Sequence, residues 1–294
     1  TIEFGIGDEA LENDLIINEI LFNPWTNGVD YVEIYNRSDK VIDLIQIQIG
    51  TVKTSPPNPP DTLFYAITDK QMLFVPGAYG LLCSSPETVK SQYLTENPNG
   101  FIKVDPFPAY NNDEGTCLLV SQKGIRIDVL DYSEDMHYPL LNYVDGVSLE
   151  RTNFNNPTFD KNNWHSAAES VGFGTPAYQN SQYIDQSALT EEITIAPEIF
   201  SPDNDGYQDV VSINYAFNQA GYMMTVNIFN SGGNLIRKLI NNQYLGTKGS
   251  VNWDGIQDDN TKAAVGIYVF FIQVYDLNGN VKKYKKTTVL ASKL

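Results

Sequence analysis

The chain is predicted to be an all-β protein with two antiparallel β-sandwich domains in tandem. Apolar residues recur with a period of two rather than 3.6, which indicates strands. Asn-Gly and Gly-rich turn signals separate these short segments, which favours antiparallel sandwiches over parallel α/β sheets. The 294 residues exceed one ordinary domain, and a composition that is 42% hydrophobic and 12% aromatic can supply two cores.

Two strands are predicted in the first half of the chain. In residues 30–36, Val32 and Ile34 alternate with tyrosine and glutamate, and in residues 44–49 isoleucine alternates with glutamine. This alternation is typical of strands with one buried and one solvated face, so both segments are predicted to be half-buried. The Pro-dense segment 54–61 is expected to be a stiff surface loop.

The second half contains two clearer alternating segments, residues 224–228 and 268–274. Glycine-containing turns are predicted at 231–234 and 278–279. The chain becomes polar between residues 172 and 190, and this change is taken as the domain boundary. The predicted organisation is a lead-in at 1–13, a first sandwich at 14–186 and a second at 187–294.

The charge balance excludes some partners. Thirty-six acidic and 19 basic residues give a net charge of −17, which repels nucleic acid and anionic lipid. The longest apolar run, residues 265–272, is far shorter than the roughly 20 residues of a membrane-spanning helix, so no membrane-spanning segment is expected. Cys83 and Cys117 lie in strand-like runs, where a single disulfide and two buried free thiols are both open readings.

The segment 201–209, SPDNDGYQD, is a candidate calcium loop. Closely spaced carboxylates around a tight glycine turn can supply several of the six to eight oxygens that Ca²⁺ prefers. The predicted ligands are Asp203, Asp205 and Asp209, with the backbone carbonyl of Tyr207. The alternative is a turn in which Asp and Asn side chains bond their own backbone, and the sequence leaves both readings open.

Two further acidic clusters are predicted to be solvated loops. One consists of Asp254, Asp258 and Asp259. The other, Asp131, Glu134 and Asp135, lies near His137 and has the minimum composition for acid–base chemistry, although any acidic surface loop would look alike. No nucleophile elbow, zinc-protease, P-loop or dinucleotide motif is present, and the chain is predicted not to be an enzyme.

Residues 15–21 (LIINEIL), residues 30–36 (DYVEIYN) and the S-L-E-R, W and G-T-P-x-x-x-N elements within residues 148–180 resemble the lamin-tail domain. This family has an Ig-like β-sandwich fold and occurs in many bacterial exported proteins. The resemblance covers residues 14–182, with extra length at 51–65 and 84–113. It implies an Ig-like sandwich for the first domain.

The second half resembles the Ig-like domain of flagellar hook-capping proteins, which also occurs at the C-termini of bacterial surface proteins. The matching segments are residues 200–209, 226–239, 251–255 and 265–283. The F-S-P-x-x-D-G-x-x-D opening is also similar to C-terminal sorting domains of the type IX secretion system. The resemblance implies export, and an extracellular or outer-membrane surface location.

The favoured function is a non-catalytic structural, adhesive or sorting region of a larger secreted or cell-surface bacterial protein. Its expected partners are a cell-surface or secretion-machinery protein, or upstream domains of the same chain. The alternative is an accessory region, such as a glycan-binding one, of an exported hydrolase whose catalytic domain lies upstream. Sugars would stack on Phe101, Phe107 and Tyr110, which would serve equally well in a core.

Overall fold

A computed structural model of the chain describes residues 7–54, 59–184, 192–203 and 207–292. The chain forms two compact units, Thr1–Tyr183 (unit 1) and Ile184–Leu294 (unit 2). Both are built almost entirely from antiparallel sheets, which confirms the predicted all-β, sandwich-type fold class. The predicted boundary between residues 186 and 187 lies outside the described residues.

Unit 1 contains a six-stranded and a four-stranded sheet. The strands are β1 (Leu15–Leu21), β2 (Tyr31–Asn36), β3 (Ile42–Asp43), β4 (Ile47–Lys53), β5 (Asp61–Ala66), β6 (Leu73–Phe74), β7 (Tyr79–Cys83), β8 (Phe101–Lys103), β9 (Glu114–Ser121), β10 (Arg126–Ser133), β11 (Leu149–Arg151) and β12 (Trp164–Ser166). The strand order is β12-β11-β1-β2-β7-β8 in the six-stranded sheet and β10-β9-β4-β5 in the four-stranded sheet, and β3 pairs with β6.

The six-stranded sheet of unit 1 is covered on both faces. Its inner face packs on the four-stranded sheet around the main apolar core. Its outer face carries a smaller apolar cluster shared with the helix α1 (Pro86–Gln92) and with Ala177. Ala177 belongs to residues 173–182, here called the closing segment.

The double cover corrects one prediction. Residues 31–36 form the predicted strand, but its description as half-buried is wrong because Tyr31 and Glu33 are fully buried. Antiparallel sheets commonly leave one face in water. Here that face lies under α1 and the closing segment, so its polar residues are buried as well.

The predicted strand at residues 44–49 is correct only in its second part. Leu44–Gln46 forms a 3₁₀ turn, in which the Asp43 carboxylate accepts a hydrogen bond from the Ile45 N–H at 3.3 Å. The strand β4 begins at Ile47. The side chain of Asp43 therefore caps a turn that the alternation of isoleucine and glutamine does not reveal.

Unit 2 contains a three-stranded and a five-stranded sheet. The strands are β13 (Glu192–Ala196), β14 (Ile199–Phe200), β15 (Val211–Ala216), β16 (Met223–Asn230), β17 (Leu235–Tyr244), β18 (Lys248–Trp253), β19 (Gly266–Tyr275) and β20 (Val281–Leu290). The strand orders are β13-β15-β18 and β14-β20-β19-β16-β17. The predicted alternation in β16 and β19 and the turns that follow each of them are confirmed.

The two cysteines are buried free thiols. Cys83 ends β7 and Cys117 lies in β9, so they belong to different sheets of unit 1. Burial raises the pKa of each thiol to about 12. Of the two readings that the sequence leaves open, the structure therefore has the unbridged one.

Trp253 is the largest fully buried side chain of unit 2. Its ring packs against Phe200, Tyr268 and Phe270 at centroid distances of 5.4, 4.9 and 5.8 Å. Its indole N–H donates to the Ile256 carbonyl at 2.8 Å. The side chain therefore satisfies its one polar group while filling the space between strands of both sheets.

Replacing Trp253 with Ala is expected to lower the unfolding free energy of unit 2 by about 3–5 kcal/mol, because the cavity cannot close fully. Val265→Ala, at a side chain that is 62% exposed, is the control and should change it by no more than about 0.5 kcal/mol. Urea unfolding with hydrogen exchange read in β16 and β19 measures both. Equal effects of the two substitutions would contradict this packing.

Candidate functional site

Three glutamates form a buried row across the outer face of the six-stranded sheet. Glu19 in β1 is the register partner of Glu150 in β11 and of Glu33 in β2, so the three side chains stand side by side on one face. All three are fully buried. Like charges directly opposite one another destabilise a sheet, so this glutamate row needs hydrogen-bond donors or protons.

Glu19, at the centre of the row, is surrounded by donors. Its Oε1 accepts hydrogen bonds from the Tyr31 hydroxyl at 2.6 Å, from the Ser148 hydroxyl at 2.6 Å and from the Thr175 backbone N–H at 3.0 Å. These three donors come from β2, from the residue before β11 and from the closing segment. The carboxyl therefore joins three parts of the chain that are far apart in sequence.

The closing segment also donates hydrogen bonds to the two outer glutamates. Glu150 Oε2 accepts from the Ser181 hydroxyl and the Gln182 N–H, each at 2.8 Å. Glu33 Oε2 accepts from the Ala177 N–H at 2.6 Å. The backbone N–H groups of an irregular segment, which lie buried against the sheet, thereby find partners.

The geometry at Thr175 indicates a shared proton. Its hydroxyl oxygen lies 3.1 Å from Glu19 Oε2 and 2.7 Å from Glu150 Oε1. A threonine hydroxyl has one proton to donate and can also accept. When it donates to one of these carboxyls, it can accept a hydrogen bond from the other if that carboxyl is protonated, so the two short distances favour a proton on one of them.

The pKa shifts agree with this arrangement. Burial, and then the negative charge of Glu19, raise the pKa of Glu150 to about 8. The same two causes raise the pKa of Glu33 well above its usual range. Burial also raises the pKa of Glu19, against the effect of its hydrogen bonds from Ser148 and Tyr31. Protonated glutamate is therefore favoured in this row at neutral pH.

The closing segment approaches the sheet closely at Gly174. A Cβ atom there would lie 2.8 Å from the Tyr31 hydroxyl and 2.8 Å from the Tyr93 ring, closer than side chains pack. Further along, the Asn180 amide donates to the backbone carbonyls of Asn18 and Arg151, each at 2.9 Å. Gly174 thus allows the segment to lie close to the sheet, and Asn180 hydrogen-bonds the segment to β1 and β11.

All hydrogen bonds described for the row come from the chain itself. In the described part of the chain, no group of three or more His, Cys, Asp or Glu side chains is arranged to hold a metal ion. The row links the closing segment to the sheet through hydrogen bonds from Thr175, Ala177, Ser181 and Gln182.

The candidate calcium loop lies between β14 and β15. The Ser201 N–H donates to the Gln208 carbonyl at 2.9 Å, which closes the loop, and Tyr207 is 70% exposed. Asp203, Tyr207 and Asp209 belong to this loop, whereas Asp205 lies outside the described residues. The calcium site stays a prediction.

His137 and the acidic cluster near it, Asp131, Glu134 and Asp135, do not form an acid–base pair in the described structure. His137 is buried, and its Nδ1 lies 2.9 Å from the Ser166 hydroxyl. Burial lowers its pKa to about 4, so the ring is neutral at pH 7. Glu134 and Asp135 are exposed in a 3₁₀ turn, and Asp131 accepts from the Thr116 hydroxyl at 2.7 Å.

The other acidic cluster supports turns. The Asp254 carboxylate accepts from the Ile256 N–H and the Asp259 carboxylate from the Thr261 N–H, each at 3.0 Å. Asp258 accepts from the Lys238 N–H at 3.1 Å. This arrangement agrees with the predicted loop.

The aromatic residues considered for sugar stacking lie against the interior. Tyr110 is buried and Phe107 packs on the core of unit 1. Phe101 packs on the outer-face cluster, and the Lys90 ammonium lies 4.9 Å from the centre of its ring. These rings therefore pack as core residues.

Sequence reasoning missed the glutamate row. Glu33 lies between Val32 and Ile34, and this alternation is the pattern of a strand with a solvated face. The available signal was the set of motifs that resemble the lamin-tail domain, because those motifs contain all three glutamates, Thr175 and Asn180.

The two units differ in charge. Unit 1 contains 25 acidic and ten basic residues, a net charge of −15, whereas unit 2 contains 11 acidic and nine basic residues, a net charge of −2. Four of the nine lie in one strand, β20: Lys282, Lys283, Lys285 and Lys286. The acidity of the protein is therefore a property of unit 1.

Residues 194–290 match the family model of the CHU_C type IX secretion signal domain. This match covers most of unit 2 and supports the type IX part of the predicted resemblance. No curated protein matches the chain. In the described residues, no helix is long and apolar enough to cross a membrane.

Three solved structures show weak similarity. CopC from Methylosinus trichosporium OB3b is 14% identical with a TM-score of 0.25, over 35% of this chain and 95% of CopC. Dimeric latent PorU from Porphyromonas gingivalis is 9% identical with a TM-score of 0.28, over 95% of this chain and 34% of PorU. PorZ, a surface component of the type IX secretion system of that species, is 16% identical with a TM-score of 0.26, over 92% of this chain and 38% of PorZ. The chain thus spans little more than a third of PorU or PorZ, and similarities this weak carry no functional argument.

Glu150→Gln is expected to reduce the pH dependence of unit 1 stability. The folded-state pKa of Glu150, about 8, exceeds the unfolded value of about 4.3. The stabilisation of the folded state by protonated Glu150 is therefore complete below the unfolded pKa and is lost as pH rises towards 8. Glutamine imitates the protonated acid, because its NH₂ can donate to Thr175. Urea unfolding at pH 5 and pH 8, with hydrogen exchange read in β1 and β2, measures the difference.

Glu150→Ala is the matched control. It leaves the half-buried Ser181 hydroxyl and the buried Gln182 N–H without their carboxylate acceptor, and the loss at the buried N–H costs about 1–3 kcal/mol, so unit 1 should be destabilised at both pH values. The same pH dependence in Glu150→Gln and in the unmodified chain would contradict the shared proton.

Proposed function

We propose that this chain is an exported region of a larger bacterial protein, in which unit 2 is the type IX sorting module and unit 1 is a non-catalytic β-sandwich delivered with it to the cell surface or the medium. The observation that carries the proposal is the match of residues 194–290 to the type IX signal family. The match begins within β13 and ends at the last residue of β20, so it covers nearly all of the folded part of unit 2.

The structure of unit 1 supports the role of a stable delivered module. Its closing segment is fastened to the sheet by three buried carboxyls and ends beside the start of unit 2 in the chain. Among the described residues, His137 and the neighbouring carboxylates do not form a nucleophile–base pair. A role as an adhesive or spacer module fits such a scaffold better than a catalytic role.

The basic strand β20 is the proposed recognition feature of unit 2. Lys283 and Lys285 are exposed and alternate with the half-buried Tyr284, so both stand on one face of the strand. This face concentrates positive charge in a chain whose net charge is −17. An anionic surface on the secretion machinery would bind this face of β20 in preference to the rest of the protein.

Deletion of residues 193–294 is expected to abolish export in a bacterium with a type IX secretion system, while the full chain reaches the surface or the medium. Unit 1 should then accumulate in the periplasm, provided that both forms carry the same signal for the inner membrane. Fractionation and surface proteolysis measure this. Surface delivery without residues 193–294 would overturn the proposal.

A graded variant tests the recognition feature. Lys283→Gln combined with Lys285→Gln should lower surface delivery, whereas Lys248→Gln combined with Lys262→Gln, at exposed lysines outside β20, should leave it unchanged. Equal effects of the two pairs would show that the lysines of β20 are not recognised.

We also propose that the loop at 201–209 binds calcium, as its carboxylate spacing suggests. Extracellular calcium modules bind with a Kd of roughly 10⁻⁴ to 10⁻³ M. Calcium at 1 mM would then stabilise unit 2 by about 0.4 to 1.4 kcal/mol. Asp203, Asp205, Asp209 and the Tyr207 carbonyl are the proposed ligands.

Asp205→Ala is expected to remove the calcium-dependent part of the thermal stability and to leave the calcium-free protein folded, because a surface loop contributes little to the core. Calorimetry with calcium, with chelator and with matched magnesium measures this. An unmodified protein that responds to calcium no more than to added salt would support the Asx-turn reading instead.

A further inference from the structure

A cleft of about 430 Å³ opens on the surface of unit 1, beside the edge strand β10. Its walls are β10, the stretch 155–159 that follows β11, and residues 12–13 before β1. This volume lies in the usual range for small-molecule sites. Neither the three glutamates of the row nor the residues that donate hydrogen bonds to them line this cleft, so the cleft is a separate feature of unit 1.

The cleft concentrates the arginines of the protein. The whole chain has four arginines, and two of them, Arg37 and Arg126, line the cleft. A third, Arg151, lies buried beneath it and donates to Thr158 at 2.6 Å and to Asp128 at 3.2 Å, both of which line the cleft. Three of four arginines therefore meet at one place in a unit with a net charge of −15.

The two lining arginines have no carboxylate partner among the described residues. Arg37 is held by the backbone carbonyls of Asn13 and Phe154, each at 3.1 Å, and these bonds leave guanidinium N–H groups unused. Arg126 is exposed and makes no ion pair in the described part of the chain. Asp128 is already neutralised by Arg151. A guanidinium fork binds planar carboxylates well, so the cleft can hold one anionic group.

The remaining lining groups limit what that anion can be. Glu12 and Asp131 are exposed carboxylates at the cleft, so they attract hydroxyl or N–H donors and repel a second negative charge. Phe159 lies at the same cleft with 82% of its side chain exposed, an unusual position for a phenylalanine. Its ring offers a face for the C–H groups of a sugar.

We propose that this cleft binds a carboxylated sugar unit of an acidic glycan. The sugar carboxylate lies at Arg37 and Arg126, its hydroxyls donate to Glu12 and Asp131, and its ring packs on Phe159. Inorganic phosphate would use only the arginines, and a strongly acidic peptide would bring further charges against Glu12 and Asp131. A hexuronate combines one carboxylate, several hydroxyls and an apolar ring face.

Isothermal titration of the purified full chain with trisaccharides that contain a single uronate unit, galacturonate or mannuronate, and two neutral sugars tests the proposal. At least one of them is expected to bind, while the neutral trisaccharide maltotriose does not. Arg126→Gln and Phe159→Ala, at exposed side chains that do not support the fold, should each weaken binding at least tenfold. Arg237→Gln, the one arginine of unit 2, is the control and should leave binding unchanged.

Three results would overturn the proposal. The first is no binding of either uronate at millimolar concentration. The second is equal binding of inorganic phosphate or of a polyglutamate peptide, which would indicate a general anion site or a peptide site. The third is uronate binding that survives both Arg126→Gln and Phe159→Ala. Purified protein suffices for all of them, so the outcome does not depend on how the chain is exported.

Discussion

The architecture of unit 1 depends on the burial of three carboxyls in one row. Glu150, Glu19 and Glu33 lie on adjacent strands and are fully buried, and three negative charges at such positions would strongly destabilise the sheet. The chain supplies two remedies. Backbone and hydroxyl donors of the closing segment bind the carboxylate oxygens, and the geometry at Thr175 favours a proton shared between Glu19 and Glu150.

This arrangement links the beginning and the end of unit 1. Thr175 lies 156 residues after Glu19, yet its N–H and its hydroxyl both contact that carboxyl. The closing segment and the strands β1, β2 and β11 therefore stabilise one another, because the buried N–H groups of the segment need the carboxyls as acceptors. The segment that matches the type IX signal family, residues 194–290, comes after this closing segment in the chain.

The sequence predicts the framework better than the interior of its polar parts. Alternation locates β2, β16 and β19, because strand periodicity is a local property. It cannot show that the outer face of β2 lies under α1 and the closing segment, which depends on residues 50 to 150 positions away. Glu33 therefore looks solvated in the sequence and is buried in the fold. The turn at Leu44–Gln46 is local, but it is fixed by a hydrogen bond from the Ile45 N–H to the Asp43 side chain, which hydrophobic periodicity does not report.

The carboxyl carbons of the glutamate row provide the most direct test of this account. With glutamate labelled by ¹³C at the δ carbon, the chemical shifts can be followed by NMR from pH 3 to pH 9 and assigned with single Glu→Gln variants of the row. The account predicts that at least one of the three carboxyls keeps the shift of a neutral acid at pH 7. If all three titrate near the ordinary glutamate pKa of about 4.3, the row holds no shared proton and the account is contradicted.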